Sequence, residues 1–109
     1  MSRQILYLPE ALKDLKNLPE NQKRMTLKAI GKVQTNPLPA SEGGYGKPLG
    51  NKGGRNLSGF LKIKLKDAGI RVVYKLIRTE TQMLIVVIGA RADEEVYDAA
   101  ERRIQQNNL

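Results

Sequence analysis

The chain has 109 residues, a formal net charge of +8, and neither cysteine nor histidine. Its length predicts a single domain over residues 1–109 with one hydrophobic core. The missing cysteines exclude disulfides and thiolate chemistry, and the missing histidines exclude the usual general base and the usual zinc ligand. No apolar run approaches a membrane span or a signal peptide, so a cytoplasmic protein is expected. The positive charge predicts an anionic partner, most simply nucleic acid.

The first third of the chain predicts a strand and two helices. Residues 2–8 are predicted as the strand, and Pro9 suits the first turn of the helix that follows. The second helix begins near Pro19 and ends before Pro37, and the two helices are expected to form an antiparallel hairpin on one face of a sheet. Their predicted buried positions are Leu12 and Leu15 in the first helix, and Leu27, Ile30 and Val33 in the second.

Residues 37–59 hold seven of the ten glycines and three of the five prolines. This composition predicts a long Gly/Pro-rich loop, of the kind that is commonly functional. The segment 44–47 resembles a phosphate-binding loop only superficially, because it lacks the Gly-Lys-Ser/Thr ending and does not join a strand to a helix. Basic side chains here and just beyond are candidates for contacts with a nucleic-acid backbone: Lys47, Lys52, Arg55 and Lys66.

Residues 61–66 alternate between apolar and basic side chains, which predicts a strand with Lys62 and Lys64 on one face. The next segment, residues 70–74, is predicted as the return strand of a hairpin. If Leu65 pairs with Ile70, then Lys64 lies opposite Arg71 on the same face. Like charges in that position are destabilising, and a bound phosphate would offset the repulsion. The alternative is an edge hairpin whose solvent-facing charges discourage aggregation.

The last part of the chain predicts a buried strand and a helix. Residues 83–89 form a continuous apolar run, as expected of a strand covered on both faces. Arg91 follows at the strand end, where functional side chains are often found, and Asp93 suits the N-cap of a helix over residues 93–106. Tyr97 lies at the border of its inner face, either as a site residue or as a half-buried packing residue. The positions predicted to face the core are Val96, Ala99, Ala100 and Ile104.

The predicted order is β-αα-βββ-α, an α+β domain with helices on a mostly antiparallel sheet of about four strands. This order and two segments, residues 61–74 and 88–97, resemble the RelE branch of the RelE/ParE toxin superfamily from toxin–antitoxin modules. Residues 47–50 also resemble a short motif that precedes the central hairpin in the family. The chain departs from the pattern in a longer Gly-rich loop at residues 51–56, and at Ala90 and Asp93, where relatives often carry basic residues.

The resemblance implies an mRNA endonuclease that acts at the ribosome. The family's two lysines, two arginines and tyrosine fall on Lys62, Lys64, Arg71, Arg91 and Tyr97. The implied chemistry is attack by the RNA 2′-hydroxyl on its neighbouring phosphate, without a metal or other cofactor. The arginines suit charge stabilisation, since a guanidinium presents a planar fork to phosphate and rarely gives up its proton. Lys64 or Tyr97 is the candidate base and Lys62 a backbone contact, while Tyr97 alternatively stacks on a nucleobase.

Partners also follow from the resemblance. They are a cognate antitoxin, expected to be acidic, together with mRNA and the 16S rRNA region of the ribosomal A site; no membrane is involved. The exposed sheet edges and the last helix are the expected antitoxin contacts. Two alternatives remain, a ParE-like inhibitor of DNA gyrase and a non-catalytic RNA-binding module.

Overall fold

The computed structural model describes residues 4–79, 82–90 and 93–109, apart from the side chains of Lys52 and Asp93. The predicted α+β class is confirmed. In chain order, the elements are β1 (Gln4–Tyr7), α1 (Pro9–Lys16), α2 (Glu20–Gln34), a short 3₁₀ helix (Ala40–Glu42), β2 (Lys47–Lys52), β3 (Arg55–Leu65), β4 (Ile70–Ile77), β5 (Gln82–Gly89) and α3 (Asp93–Gln106).

The five strands form one sheet in the order β1-β5-β4-β3-β2. β1 runs parallel to β5, and the other neighbours are antiparallel. α2 lies beside Leu65 at the end of β3, whereas α3 packs on the opposite face, where Tyr97 reaches Lys62. α1 lies along β5 and β1. None of the helices within residues 4–79, 82–90 and 93–109 combines the length and apolar character needed to cross a membrane.

The sheet has one strand more than the predicted four. Residues 47–52, predicted as part of a loop over residues 37–59, form β2 and pair with β3. The glycine and proline content of this segment predicts a loop. Both residue types are nevertheless compatible with a hairpin at the edge of a sheet. Gly53 and Gly54 have φ of +60° and +83° between β2 and β3, a conformation that glycine adopts readily. Pro48 lies on an edge strand, where the missing N–H donor is tolerated.

Two predicted core positions are wrong. Leu12 and Leu27 are 40% and 44% exposed, so neither lies on the buried face of its helix. A polar residue, Thr26, takes a buried place in α2, because its hydroxyl donates to the Gln22 carbonyl oxygen at 2.8 Å. The buried positions are Ala11 and Leu15 in α1, and Thr26, Ile30 and Val33 in α2. In α3, Val96, Ala99 and Ala100 are buried as predicted, and Ile104 is partly buried.

β5 continues beyond its last pairing with β1, at Ile85, and an ion pair satisfies the backbone groups on that side. The Asp14 carboxylate accepts from the Ile88 N–H at 3.0 Å. Arg103 of α3 donates to both oxygens of Asp14, at 2.6 and 3.1 Å, and to the Val86 carbonyl oxygen at 3.0 Å. The two side chains are only 13% and 17% exposed, so this pair ties α1, β5 and α3 together in a poorly solvated place.

Replacing Arg103 by methionine is expected to lower the free energy of unfolding by about 2–4 kcal/mol. Asp14 would keep a largely buried charge without its cation, and the Val86 carbonyl would lose a donor. Urea denaturation measures the change. Arg102→Met is the matched control, because Arg102 is exposed. Equal losses in the two variants would show that the ion pair does not stabilise the fold.

A buried tyrosine anchors the segment between α2 and β2. Tyr74 is 0% exposed, and its hydroxyl donates to the Pro37 carbonyl oxygen at 2.7 Å. Gly46 lies directly against it, since a Cβ there would come within 2.3 Å of the Tyr74 oxygen and 2.6 Å of Leu61 Cδ2. Any larger residue at position 46 would therefore displace the segment that leads into β2.

Tyr74→Phe is expected to lower the free energy of unfolding by about 1–2 kcal/mol near neutral pH, because the Pro37 carbonyl loses its donor. Burial raises the pKa of Tyr74, so the folded protein retains this proton to higher pH than the unfolded chain. The contribution is complete below about pH 10 and declines above it, by about 1 kcal/mol between pH 10 and 11. Denaturation at both pH values should show this extra loss in the wild type only; parallel losses would contradict it.

Candidate functional site

The predicted hairpin register is confirmed. Leu65 pairs with Ile70, and Lys64 lies directly opposite Arg71 across β3 and β4. Paired residues of antiparallel strands point to the same face, so two cationic side chains stand next to each other. Arg71 is half-buried and its Nη1 donates to the Gly69 carbonyl oxygen at 3.2 Å, whereas Lys64 is exposed. The hairpin thus holds a fixed guanidinium beside a solvated ammonium.

Tyr97 joins this face from α3. It is 5% exposed, more buried than its predicted border position suggests. The half-buried Lys62 donates from Nζ to the Tyr97 hydroxyl oxygen at 3.2 Å and lies 5.9 Å from the ring centroid. Because the phenol oxygen accepts this bond, the hydroxyl proton remains available for a second acceptor. Lys62 and Tyr97 therefore form a lysine–phenol pair.

A glycine allows α3 to pack closely enough for that contact. Gly89 ends β5 and pairs with Arg71. A Cβ at position 89 would lie 2.8 Å from Cγ2 of Val96, in the first turn of α3. Any other residue there would push the helix outward, and Tyr97 follows Val96 directly in sequence. The small residue at the strand end therefore sets the distance between Tyr97 and the sheet.

β2 adds a further lysine that pairs with this site. Lys47, predicted as a backbone-binding residue in a loop, lies in β2 opposite Lys62 and is exposed. Four cations from three neighbouring strands thus share one face of the sheet, which we call the cationic face: Lys47, Lys62, Lys64 and Arg71. The sequence contained no signal for this pairing, because β2 is too rich in glycine and proline to be predicted as a strand.

Arg55, another predicted backbone contact, lies against α3. Its Nε donates to Oδ1 of Asp98 at 2.5 Å, and its side chain is 18% exposed. The hydrogen bond to Asp98 raises the pKa of Arg55, which stays charged. Asp98 follows Tyr97 directly, so this ion pair links the start of β3 to the helix that carries the phenol. Sequence reasoning missed Asp98 because its partner is 43 positions away.

The structure says less about the other residues predicted for the site. Arg91 lies outside the described residues, and so does the side chain of Lys52. Lys66 lies in the turn after β3 and lines a surface shared with α2, away from the lysine–phenol pair. Within the described part of the chain, no group of three or more acidic, cysteine or histidine residues is arranged to hold a metal ion.

No protein-family model matches the chain. A RelE-like toxin protein of Escherichia coli is 26% identical over 106 residues, which cover 96% of this chain and 100% of that protein. The mRNA interferase toxin RelE of Escherichia coli strain K12 is 36% identical over 50 residues, covering 46% of this chain and 53% of that protein.

Solved structures show the same fold. A mutant of the Escherichia coli toxin RelE in the free state matches with a TM-score of 0.75 and 25% identity, covering 95% of this chain and 99% of that one. A chain of the RelBE2 toxin–antitoxin complex of Mycobacterium tuberculosis matches with a TM-score of 0.67 and 23% identity, covering 84% and 100%. The class is therefore a small, basic α+β domain with the RelE fold. Within that class, the chain resembles the RelE-like toxins of Escherichia coli in sequence and in fold.

Proposed function

We propose that this chain is the toxin of a type II toxin–antitoxin system and that it acts as an mRNA endonuclease. The observation that carries the proposal is the lysine–phenol pair of Lys62 and Tyr97 on the same face as Lys64 and Arg71. Relatives named as RelE-like toxin and mRNA interferase support the assignment. A gyrase inhibitor would have no evident use for this cluster of cations around a phenol.

RNA carries its own nucleophile, the 2′-hydroxyl. The site therefore has to position the RNA and stabilise the charged phosphorane, and it does not have to supply a nucleophile. The 2′-oxygen bonds to the adjacent phosphorus as its proton passes to a base, and the bond to the 5′-oxygen breaks as that oxygen takes a proton from a solvent water, while the protonated base later returns its proton to solvent. The products are a 2′,3′-cyclic phosphate, which water can open to a 3′-phosphate, and a 5′-hydroxyl. In-line positioning and stabilisation of the charged phosphorane supply most of the rate.

Each residue is assigned a role in this reaction according to the chemistry of its side chain. Arg71, held by its bond to the Gly69 carbonyl, suits charge stabilisation on the phosphorane. Lys64 or Tyr97 accepts the 2′-hydroxyl proton, because the amine of Lys64 and the phenol oxygen of Tyr97 lie on the same face of the sheet as Arg71. Lys62 contacts the RNA backbone, and Arg91 serves as a second charge stabiliser. This set contains no carboxylate or imidazole, so the proposed chemistry needs no metal.

The proposed substrate is mRNA in the ribosomal A site, in the cytoplasm, with contacts to 16S rRNA. The exposed Lys47 and Lys64 would contact phosphates around the cleaved bond. Arg55 is paired with Asp98, and Lys66 lies away from the lysine–phenol pair, so neither is assigned to the cleaved phosphate. The proposed regulator is an acidic antitoxin, as the charge of +8 favours. A structural relative in a toxin–antitoxin complex supports this partner.

The test is to incubate the purified protein with an mRNA, with and without translating ribosomes, and to map the fragment ends. Cleavage only with ribosomes, leaving 5′-hydroxyl ends and abolished by Arg71→Ala and Arg91→Ala, is the expected result. Cleavage of naked RNA would keep the nuclease and remove the ribosome from its substrate. No cleavage by folded protein, together with inhibition of DNA supercoiling by gyrase, would overturn the proposal.

A further inference from the structure

The helix that carries Tyr97 presents mostly small side chains to the sheet. The buried residues of α3 beside Tyr97 are Val96, Ala99 and Ala100, and Val96 lies against the glycine at position 89. Helices are held in a fixed orientation when the side chains of one element fill the grooves of the other. Short side chains allow close approach but interdigitate little. The orientation of α3 therefore depends on the polar contacts at its sides.

Two ion pairs tie α3 to the two flanks of the strands beneath it. On one flank, Arg103 donates to Asp14 and to the Val86 carbonyl oxygen of β5. On the other flank, Asp98 accepts from Arg55 at the start of β3. β4 lies between β5 and β3 in the sheet, so the helix is held from both sides. Asp98 directly follows the phenol in sequence, so the second pair is the one that adjoins the site.

The Gly-rich end of the β2–β3 hairpin, which is longer here than in the family pattern, holds the arginine of that pair. The Gly54 N–H donates to Oδ1 of Asn51 at 3.2 Å, which closes the turn. A Cβ at Gly53 would lie 2.9 Å from Nη1 of Arg55, so the guanidinium packs directly on the glycine. The Arg55 side chain is 18% exposed, whereas that of Asp98 is 60% exposed. The hairpin therefore places the cation, and the helix supplies the solvated carboxylate.

The charges of α3 favour this contact. Glu94, Asp98 and Glu101 are spaced i, i+4 and i+7, so they lie on one side of the helix, where like charges repel. All three carboxylates attract the guanidinium of Arg55. A cation among them relieves the repulsion, which gives Arg55 an electrostatic reason to remain on the helix.

We propose that Arg55 and Asp98 are positioning residues that set the rotation of α3 and thereby hold the Tyr97 hydroxyl against Lys62. Side chains reach about 5–6 Å from a helix axis, so a rotation of about 10° moves their ends by about 1 Å. That movement would stretch the 3.2 Å contact between Lys62 and Tyr97 beyond hydrogen-bond length. A misplacement of about 1 Å can cost about 10²-fold in rate. The effect on cleavage rests on the proposed function, whereas the effect on the position of the hydroxyl does not.

The position of the hydroxyl is measured first, without RNA. The protein is labelled with ¹³C at the tyrosine Cζ atoms, and Tyr97→Phe identifies the Tyr97 signal, which responds to a hydrogen bond at the phenol oxygen. Arg55→Met and Asp98→Ala are each expected to move this signal toward its position in Lys62→Met, where the bond is absent. Tyr74 is 0% exposed and points to the opposite face of the sheet, so its signal is the internal control and should not move.

Cleavage is measured on the same variants. Arg55→Met and Asp98→Ala should each lower the single-turnover rate at saturating RNA by about 10–10²-fold and change the half-saturating RNA concentration by less than about twofold. The double variant should lose no more than either single variant, because both remove the same contact. Exchanging the two charges, Arg55→Asp with Asp98→Arg, should recover part of the rate. Urea midpoints should stay near that of the wild type, since a pair with an exposed carboxylate adds little stability.

Glu94→Ala is the matched control, because it removes an exposed carboxylate from the same side of α3. It should leave the Tyr97 signal and the cleavage rate close to those of the wild type. Three results would overturn the inference. They are an unmoved Tyr97 signal in Arg55→Met and Asp98→Ala, equal losses in Glu94→Ala, or a loss of RNA affinity in Arg55→Met alone, which would make Arg55 a phosphate contact. A Tyr97 signal that moves in a protein that cuts no RNA would support the positioning role and refute the nuclease.

Discussion

Arg71→Ala is expected to lower the single-turnover rate of mRNA cleavage by about 10²–10³-fold, the usual cost of removing a group that stabilises transition-state charge. Arg71 is a half-buried cation of the hairpin, and its guanidinium donates a hydrogen bond to the Gly69 carbonyl. A preorganised cation stabilises the phosphorane more than the ground-state phosphate, so the loss should fall on the rate of the chemical step rather than on binding.

The stability of the same variant is informative. Lys64 and Arg71 are directly opposed, so removing one charge should relieve repulsion of about 0.2–1 kcal/mol. The relieved repulsion opposes the loss of the hydrogen bond to the Gly69 carbonyl, so we expect Arg71→Ala to unfold at a urea concentration close to that of the wild type while losing activity. Arg24→Ala is the control for charge alone, because Arg24 is exposed on α2.

A different pattern would point to a phosphate-binding module. Such a protein would lose affinity on replacement of Arg71, with the slope of log affinity against log salt falling by about 0.7 for one contact to single-stranded RNA. An unchanged cleavage rate in Arg71→Ala, with weaker binding, would remove Arg71 from the chemistry.

Tyr97→Phe is expected to reduce cleavage by about 10²–10⁴-fold, the range for loss of a general acid or base. The substitution keeps the buried ring of Tyr97 and removes the oxygen that accepts from Lys62 at 3.2 Å. Fold and packing should therefore be preserved. Tyr45→Phe is the matched control, since Tyr45 is half-exposed and lies against α2.

The pH profile decides between the two candidate bases. A base acts in its deprotonated form, so the wild-type rate should rise between pH 6 and 9. If Tyr97 is the base, the rate of Tyr97→Phe no longer rises with pH, whereas the rate of Lys64→Ala still does. If Lys64 is the base, the rate of Lys64→Ala no longer rises with pH, whereas the rate of Tyr97→Phe still does. A flat profile in the wild type would exclude both assignments.

Local pattern predicted the centre of this site well. The period-two alternation over residues 61–66 and the short turn to residue 70 were enough to place Lys64 opposite Arg71. Hairpin register depends on the turn and on which face is apolar, and both are local properties. Local pattern also predicted the end of β5 and the start of α3, although Arg91 lies outside the described residues.

What the sequence did not reveal depends on contacts between distant segments. The pairing of Lys47 with Lys62 requires β2, whose glycine and proline content favours a loop. The contact between Arg55 and Asp98 joins positions with no local relationship. Leu27 was predicted to be buried because its spacing to Ile30 fits a helix face, but α2 turns so that Thr26 and Ile30 share the buried side. Two faces of α2 fit a buried helical pattern, and packing against the rest of the fold determines which of them is buried.

The ion pair of Asp14 and Arg103 has a consequence for self-association. Where β5 continues past β1, its open side could accept a strand from another molecule, as unpaired edges do in aggregation and domain swapping. The side chains of Asp14 and Arg103 occupy the Ile88 N–H and Val86 carbonyl that such a strand would need. Opening the pair would therefore leave the backbone groups of this edge free to pair with a strand of another molecule.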